Sequence, residues 1–471
     1  MTATTSPVRI GIVGCGSVMR GPYMALLDKL RAQGWIELAR ACDIDESKRA
    51  FVLECFGIRN FTTDYRELVV AADVDLVLVL TSMREHGPIA AAALQAGKHV
   101  LVEKPMAVTL EEGAQLVELA KRGPGYLLCA PHVILSPTYQ TMWRRIQRGD
   151  IGQVYTARAC YGWAGPWWGQ WFYRPGGGVL FDLGVYNLTS LTGFLGPAQR
   201  VMAMAGTAIP ERVVDGERMR VEVEDNVQIL LDFGNAVLAA VTSGFTIQQR
   251  RAPAIEIYGS KGVIQMMGDD WAPLGYELWQ NDVGAWQIFA ETAPHWSWTA
   301  GLGHLVECIR TGRRPLITPE HAFHVLEIMI KALESAREGR VRSLSSTFPP
   351  LAIGGEGVRK PRHLVHDRSH EREGGDGAAR RGPARSGWAA ERLGARPHAG
   401  AWGREGPGAR GRGMLACSYA PPGNERRRDG WLRWRSLRLN ERVDRSRPRI
   451  CARRRQPCAR MGSSSWLTWW T

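Results

Sequence analysis

The sequence predicts an α/β protein in which a parallel, doubly wound sheet is followed by an α+β domain with a mostly antiparallel, open sheet. Three observations lead to this prediction. Short apolar strands alternate with amphipathic helices over residues 8–130, as expected when helices cover both faces of a parallel sheet. Longer segments of alternating apolar and polar residues, joined by glycine turns, occupy much of residues 153–280. Both patterns end near Pro350, where an arginine-rich tail begins.

The positive charge of the chain is concentrated in that tail. The 471 residues have a formal net charge of +14, but residues 351–471 alone carry 27 Lys and Arg against 11 Asp and Glu. The rest of the chain is close to neutral, which argues against a nucleic-acid or membrane partner. Nine cysteines without a C-x-x-C pair favour a reducing compartment and no metal site. Because no signal pattern or membrane-length apolar run is present, we expect a cytoplasmic protein.

We interpret residues 351–471 as a disordered tail, since Arg, Gly, Pro, Ala and Trp recur there without helical or strand period. The composition is typical of out-of-frame or read-through translation of GC-rich sequence, and such a tail would be an artefact without function. Nonspecific binding of nucleic acid through Arg and Trp is the alternative.

The first predicted strand, Val8 to Val13, ends in a glycine turn. Gly14 permits the tight turn, and Gly16 lets the backbone approach a pyrophosphate. Ser17 and Val18 then open a helix whose first N–H groups are free to bind phosphate. Met19 stands where the third glycine of G-x-G-x-x-G belongs, so the fingerprint is incomplete. The pattern predicts a Rossmann dinucleotide-binding domain over residues 7–130, with the α+β domain over residues 131–350.

Asp43 directly follows the second predicted strand, residues 35–42. A carboxylate at this position can accept hydrogen bonds from both adenosine ribose hydroxyls, and it repels a 2′-phosphate. Asp43 therefore favours NAD over NADP as the cofactor. A solvated loop acid is the alternative interpretation.

Lys104 follows a strand that spans residues 100–102 and ends before Pro105. This placement delivers the lysine to the carboxyl edge of the sheet, where ligands bind in open α/β folds. Its ammonium can hold a substrate hydroxyl and stabilise the alkoxide that forms as hydride leaves carbon. A surface ion pair at a strand end is the alternative.

The stretch from Trp163 to Gly178 combines many aromatic residues with glycines. Such a loop suits the faces of a sugar ring or another flat ligand, with Trp171 and Arg174 as candidate substrate contacts. Packing of an irregular loop explains the same composition equally well. A helix follows to about Phe194, and on it Asp182 and Tyr186 share one face.

A carboxylate beside a phenol provides a hydroxyl anchor and a proton donor or acceptor. A neighbouring lysine would favour the phenolate, so we expect a lowered pKa for Tyr186. A purely structural Tyr–Asp hydrogen bond is the alternative.

Residues 7–348 resemble the Gfo/Idh/MocA family of NAD(P)-dependent oxidoreductases. Six segments carry the resemblance in order along the chain: residues 11–16, 42–45, 96–105, 148–152, 176–184 and 309–315. The resemblance implies transfer of hydride between nicotinamide and a hydroxyl or carbonyl carbon of a sugar, cyclitol or dihydrodiol. Alternatives are a hydrolase or lyase that retains NAD and uses transient oxidation, and a non-catalytic nucleotide-binding regulator.

The resemblance also implies roles for individual residues. Lys104 would position the substrate and Asp182 would bind its hydroxyl. Tyr186 would be the acid/base in place of the more common His, as in the glucose–fructose oxidoreductase and dihydrodiol dehydrogenase branch. Cofactor contacts are implied for Thr81, His86, Glu103 and Lys104, and a substrate contact for His132. A homo-oligomer, dimer or tetramer, would form through the open sheet of the second domain.

Overall fold

The computed structural model describes residues 6–290, 293 and 295–353. The predicted disordered tail lies outside these residues, except for its first three. Of those, Leu351 and Ile353 are buried in the hydrophobic core, so the packed chain extends past the predicted end at residue 350.

Six parallel strands form the first sheet, in the order β3-β2-β1-β4-β5-β6. They are β1 (Val8–Val13), β2 (Ile36–Cys42), β3 (Asn60–Thr62), β4 (Leu76–Val79), β5 (His99–Val102) and β6 (Leu127–Cys129). The strand order reverses at β1 and β4, and this reversal opens a crevice at their carboxyl ends. The predicted doubly wound sheet is confirmed.

The helices that cover this sheet are α1 (Met24–Ala32), α2 (Lys48–Phe56), α3 (Tyr65–Val69), α4 (Met83–Gln95) and α5 (Leu110–Arg122). From the sequence alone, the Gly87-Pro88 pair predicts that α4 begins at Gly87, and this prediction is wrong. Ser82 is extended, the helix begins at Met83, and Pro88 lies inside it.

Met19 is fully buried and begins a wide helical turn, Met19–Tyr23, that leads into α1. A glycine at this position normally allows close packing of helix on strand. Here a core side chain fills the space instead, and the wider turn accommodates it. The incomplete fingerprint is therefore a packing variant of the dinucleotide-binding turn.

The second sheet has nine strands in the order β16-β15-β14-β13-β7-β12-β11-β8-β17. A separate hairpin, β9 (Glu211–Val214) and β10 (Glu217–Arg220), lies outside it. The strands of the sheet are β7 (Val154–Gly162), β8 (Arg200–Gly206), β11 (Asn226–Asp232), β12 (Leu238–Gly244), β13 (Ile255–Gly259), β14 (Gly262–Asp269), β15 (Ala272–Gln280), β16 (Ala285–Ala290) and β17 (Arg342–Ser343).

Neighbouring strands of this sheet are antiparallel, apart from the parallel pair β7 and β12. The sequence patterns do not predict the hairpin or β16. The hairpin strands are rich in charged residues, and β16 is exposed along most of its length, so neither has a clear alternation of buried and exposed positions.

Within the described residues after β6, the α-helices are α6 (Pro137–Arg148), α7 (Val185–Leu195), α8 (Gly301–Thr311) and α9 (Pro319–Glu338). Every residue of α7 is buried, and a second wide turn, Leu180–Gly184, leads into it. Thr318 caps α9 by accepting a hydrogen bond from the His321 N–H, and Gly339 ends it. Along the described part of the chain, we find no helix with the length and apolar character needed to cross a membrane.

Candidate active site

The glycine turn after β1 has the geometry of a pyrophosphate cradle. Gly14 has a φ of +97°, and a Cβ added there would lie 2.7 Å from the backbone oxygen of Leu80. No other residue fits this position without strain. A Cβ added at Gly16 would meet no atom of the described residues within 4 Å, apart from its two chain neighbours, so the space above that backbone is open. Ser17 is exposed and Val18 is partly exposed at the same opening.

Asp43, at the carboxyl end of β2, is hydrogen-bonded to the glycine turn. Its Oδ2 accepts a hydrogen bond from the Cys15 N–H at 2.7 Å, and its Oδ1 accepts one from the Asp45 N–H at 3.0 Å. Each carboxylate oxygen keeps a further lone pair for a ribose hydroxyl. The next side chain, Ile44, is 93% exposed and offers apolar surface beside it. These residues fit the adenosine half of a dinucleotide.

Lys104 and Asp182 form a nearly buried ion pair at the carboxyl end of β5. The Lys104 Nζ donates to Asp182 Oδ1 at 2.5 Å and to the Asp182 carbonyl oxygen at 3.0 Å. The two side chains are 13% and 2% exposed. Asp182 lies in the wide turn before α7, so the structure brings together two candidates that are 78 residues apart in sequence.

The other carboxylate oxygen of Asp182 has no hydrogen-bond partner among the described residues, although it is fully buried. A buried, unpartnered carboxylate oxygen is unfavourable, because the desolvation of the charge is not compensated. A ligand that donates a hydrogen bond would remove this penalty. Of all the features near Lys104, this orphaned acceptor points most directly to a bound hydroxyl.

Tyr186 lies beside the pair, with the Lys104 Nζ 5.4 Å from its ring centroid. Burial raises the pKa of Tyr186 well above its usual value, and the nearby Glu103 carboxylate raises it further. The expected lowering of this pKa is therefore wrong. The Lys104 ammonium is hydrogen-bonded to Asp182, so the surroundings of the phenol are not net positive. Tyr186 is a neutral phenol in the cofactor-free protein.

A second layer of buried residues supports Lys104. Glu103 Oε1 accepts a hydrogen bond from the Tyr23 hydroxyl at 2.7 Å, and Glu103 Oε2 accepts one from the Lys104 N–H at 3.2 Å. Burial raises the pKa of Glu103. The carboxylate of this candidate cofactor residue is thus hydrogen-bonded within the protein. Sequence reasoning missed Tyr23, because its position depends on the wide turn before α1.

His86 and Thr81 connect the ends of β4 and β5. The His86 Nδ1 lies 2.7 Å from the Pro105 carbonyl oxygen, and its Nε2 lies 3.0 Å from that of Thr81. Burial lowers the pKa of His86, so its neutral ring donates to one of these carbonyls. The hydroxyl of Thr81 is buried without a partner in the described chain. His86 therefore links the ends of β4 and β5 through its two ring nitrogens.

His132 is buried against α8 rather than presented in an open cleft. Its Nδ1 lies 3.0 Å from the Trp298 carbonyl oxygen, and its ring packs against Gly301. Burial lowers the pKa of His132 to about 4, so the ring is neutral. Its Nε2 has no partner among the described residues. In the described structure, no hydrogen bond or ring contact joins His132 to Lys104, Asp182 or Tyr186.

Trp171 and Arg174 lie in the aromatic loop, and both are exposed. Trp171 stacks on Phe172 with ring centroids 3.7 Å apart, and Arg174 donates to the Gln170 side chain at 3.0 Å. Three further tryptophans of the loop contact one another: Trp163, Trp167 and Trp168. These contacts are those of a packed loop.

The aromatic wall next to Tyr186 comes from the large sheet instead. Tyr161, near the end of β7, makes an edge-to-face contact with Tyr186 at 5.9 Å. Trp271, in the turn between β14 and β15, lies 6.4 Å from Tyr161. Sequence reasoning missed both residues. The available signal was a tyrosine placed just before the glycine that ends an alternating strand.

A pyrophosphate cradle beside a buried Lys–Asp–Tyr cluster defines the class of the protein as an NAD-binding oxidoreductase. The family described as "Oxidoreductase family, NAD-binding Rossmann fold" matches residues 8–128, and the GFO/IDH/MocA C-terminal domain matches residues 139–265. The chain belongs to the GFO/IDH/MocA family of oxidoreductases.

Similar proteins include dehydrogenases and reductases. Trans-1,2-dihydrobenzene-1,2-diol dehydrogenase of Macaca fuscata fuscata is 26% identical over 361 residues, which span 73% of this chain and 98% of that protein. 1,5-anhydro-D-fructose reductase of Ensifer adhaerens is 30% identical over 260 residues, 54% of this chain and 74% of that protein. A levoglucosan dehydrogenase solved with NADH and L-sorbose shares the fold, with a TM-score of 0.65 at 20% identity over 72% of this chain and 100% of that one.

Proposed function

We propose that this enzyme transfers hydride between NAD and a ring carbon that bears a hydroxyl, in a sugar, cyclitol or dihydrodiol. The observation that carries the proposal is the orphaned Asp182 Oδ2 beside the Lys104 ammonium. This pair can accept one hydrogen bond from a hydroxyl and stabilise negative charge on the same oxygen. The relatives named for a dihydrodiol and for anhydrofructose act on compounds of this class.

Each residue of the cluster has a distinct role in this proposal. Asp182 accepts a hydrogen bond from the reacting hydroxyl, and Lys104 stabilises the alkoxide that forms as the carbon is oxidised. Tyr186 exchanges the hydroxyl proton, and its raised pKa suits proton donation when a carbonyl is reduced. Bound NAD⁺ supplies the hydride acceptor. Burial of the cluster keeps water from competing for these hydrogen bonds.

Titration of the full chain with NADH and NADPH, followed by fluorescence, tests the cofactor site. A screen of sugars, cyclitols and dihydrodiols with NAD⁺ then tests the reaction through NADH absorbance. Substrate-dependent formation of NADH supports the proposal. Consumption of a substrate without net NADH would indicate an NAD-retaining hydrolase or lyase, and NADH binding without any reaction would indicate a regulator.

We expect replacement of Asp43 with Asn to reduce the preference for NADH over NADPH by about tenfold or more, because the variant loses the carboxylate charge that repels the 2′-phosphate. Asp43→Asn also loses one acceptor for the ribose hydroxyls, so NADH affinity itself falls. The measurement is the ratio of the two dissociation constants. Glu46→Gln, an exposed change close by on the same loop, is the control and leaves the ratio unchanged. An unaltered ratio in Asp43→Asn would contradict this role.

We further propose that the enzyme is a homo-oligomer assembled through the open face of the large sheet. Large apolar side chains are exposed there on four neighbouring strands: Tyr155, Met202, Met204, Leu230 and Leu238. Met202 and Leu230 stand directly opposite each other on β8 and β11. An exposed apolar patch of this kind on a protein surface is typical of a subunit interface.

Changing Met204 and Leu230 together to lysine is expected to produce a monomer, because two charges would be buried in each copy of the interface. Light scattering coupled to size-exclusion chromatography measures the mass. Val213→Lys, on the exposed hairpin outside the sheet, is the control and should leave the mass unchanged. A wild-type protein that is already monomeric would exclude the interface.

A further inference from the structure

Asp270 is a buried carboxyl group behind the helix that carries Tyr186. It lies in the turn between β14 and β15 and is 1% exposed. Its Oδ2 accepts hydrogen bonds from the Asn187 Nδ2 and the Ser190 hydroxyl, both at 3.0 Å. These two partners follow Tyr186 on α7 by one and four residues. Asp270 thus connects the large sheet to the helix of the active site.

Two oxygen atoms in this cluster have no partner in the described part of the chain. They are Asp270 Oδ1 and Asn187 Oδ1, and both are buried. Both are acceptors when Asp270 is ionised, so neither can satisfy the other. If Asp270 carries a proton, its O–H can donate to the Asn187 carbonyl while the Asn187 amide donates to the carboxyl group. One proton therefore satisfies two orphaned acceptors at once.

The charged and titratable groups around Asp270 come from four other parts of the chain. Arg250 is ion-paired with Asp269. The charge of Asp270 contributes to the raised pKa of three tyrosines, which lie on α6, β7 and α7: Tyr139, Tyr161 and Tyr186. Burial raises the pKa of Asp270 to about 6, although Asn187, Ser190 and Arg250 oppose the rise. Proton binding by this carboxyl therefore falls in the range near neutral pH.

We propose that Asp270 binds a proton in the folded enzyme and donates it in a hydrogen bond to the Asn187 side-chain carbonyl. The resulting acid–amide pair positions α7, and with it Tyr186. Asp270 is a positioning residue, since its hydrogen bonds run to Asn187 and Ser190 and it has no described contact with Lys104 or Asp182. The inference rests on the proposed function only for the catalytic role of Tyr186. The pairing itself is tested without a substrate.

The sign of the pH dependence follows from the direction of the shift. The folded protein binds this proton more tightly than the unfolded chain, because the pKa of Asp270 rises from 3.8 to about 6 on folding. The stability contributed by the proton is complete below the unfolded pKa and is lost as the pH rises through the folded pKa.

The full chain labelled with ¹³C in its tyrosine rings allows the pair to be observed by NMR. We expect the Tyr186 resonance, assigned with Tyr186→Phe, to shift with a midpoint near the pKa of Asp270. Asp270→Asn should remove this shift, because its amide donates to Asn187 at every pH. Asp269→Asn is the matched control: it frees Arg250 and should keep the shift at a lower midpoint. Glu103 also titrates near Tyr186, and its contribution persists in both variants.

Thermal unfolding provides a second, independent measurement. Between about pH 5 and 8, the melting temperature of the wild type should fall relative to that of Asp270→Asn, while Asp269→Asn should follow the wild type. The proposal is overturned if the wild-type Tyr186 resonance shows no transition in this range. It is equally overturned if the transition persists unchanged in Asp270→Asn. Either outcome leaves the oxidoreductase reaction itself untouched.

Discussion

Replacing Lys104 with methionine is expected to reduce turnover by about 10³-fold while NADH affinity stays within a few fold of the wild type. The ammonium is the group that can stabilise an alkoxide next to Asp182, and methionine has a similar size but no charge. The pyrophosphate cradle at Gly14 and Gly16 is formed by a different strand end and is unaffected. Steady-state rates with the substrate found in the screen, together with NADH titration, measure the two effects separately.

The free energy of unfolding shows whether Lys104→Met loses turnover through the missing ammonium or through unfolding. Lys104→Met leaves the Asp182 carboxylate buried without its counter-charge, which costs on the order of 3–5 kcal/mol of the free energy of unfolding. Adding Asp182→Asn removes the unpaired charge, so the double variant should recover most of the stability. It should not recover turnover. Normal turnover in Lys104→Met would remove the lysine from the mechanism.

Replacing Gly16 with valine is expected to weaken NADH binding by at least about 100-fold, equivalent to roughly 2.7 kcal/mol. The side chain would fill the open space above the backbone, where the pyrophosphate must approach. Apart from its two chain neighbours, no atom of the described residues lies within 4 Å of the added Cβ, so the melting temperature measured without cofactor should hardly change. Fluorescence titration and thermal unfolding of the same sample measure both quantities.

Gly14→Ala is the matched comparison for the same turn. Its Cβ would collide with the Leu80 backbone, and its φ of +97° is strained for alanine. This variant should therefore lose stability before cofactor is added. Unchanged NADH affinity in Gly16→Val would place the pyrophosphate elsewhere and overturn the cradle assignment.

Local sequence patterns predict the elements of the fold well where a single strand or helix buries a continuous face. The strands β1, β2 and β5 lie close to their predicted positions. Prediction fails where burial is weak or the local signal conflicts, as in the charged hairpin β9–β10 and at the Gly87-Pro88 pair inside α4. In these segments, tertiary contacts outweigh local preference.

The candidate site divides in the same way. Gly14, Gly16, Asp43 and Lys104 are evident from sequence because each follows directly from the end of a predicted parallel strand, and such ends meet at one edge of the sheet. For Trp171 and Arg174 the sequence offers only the composition of the aromatic loop, and in the structure they belong to a packed, exposed loop. The predicted lowering of the Tyr186 pKa is wrong because burial and the nearby Glu103 carboxylate outweigh a lysine that is already paired.

The sequence by itself determined the class of this protein, since the order of strands, glycine turns and charged strand ends specifies a dinucleotide-binding sheet and its family. Only the tertiary structure decided which side chains face one another across long separations. It placed Asp182 on Lys104, Tyr161 against Tyr186, and Asp270 against Asn187. The physical reason is that strand and helix periods are local, whereas desolvation and hydrogen-bond satisfaction depend on the whole packed chain.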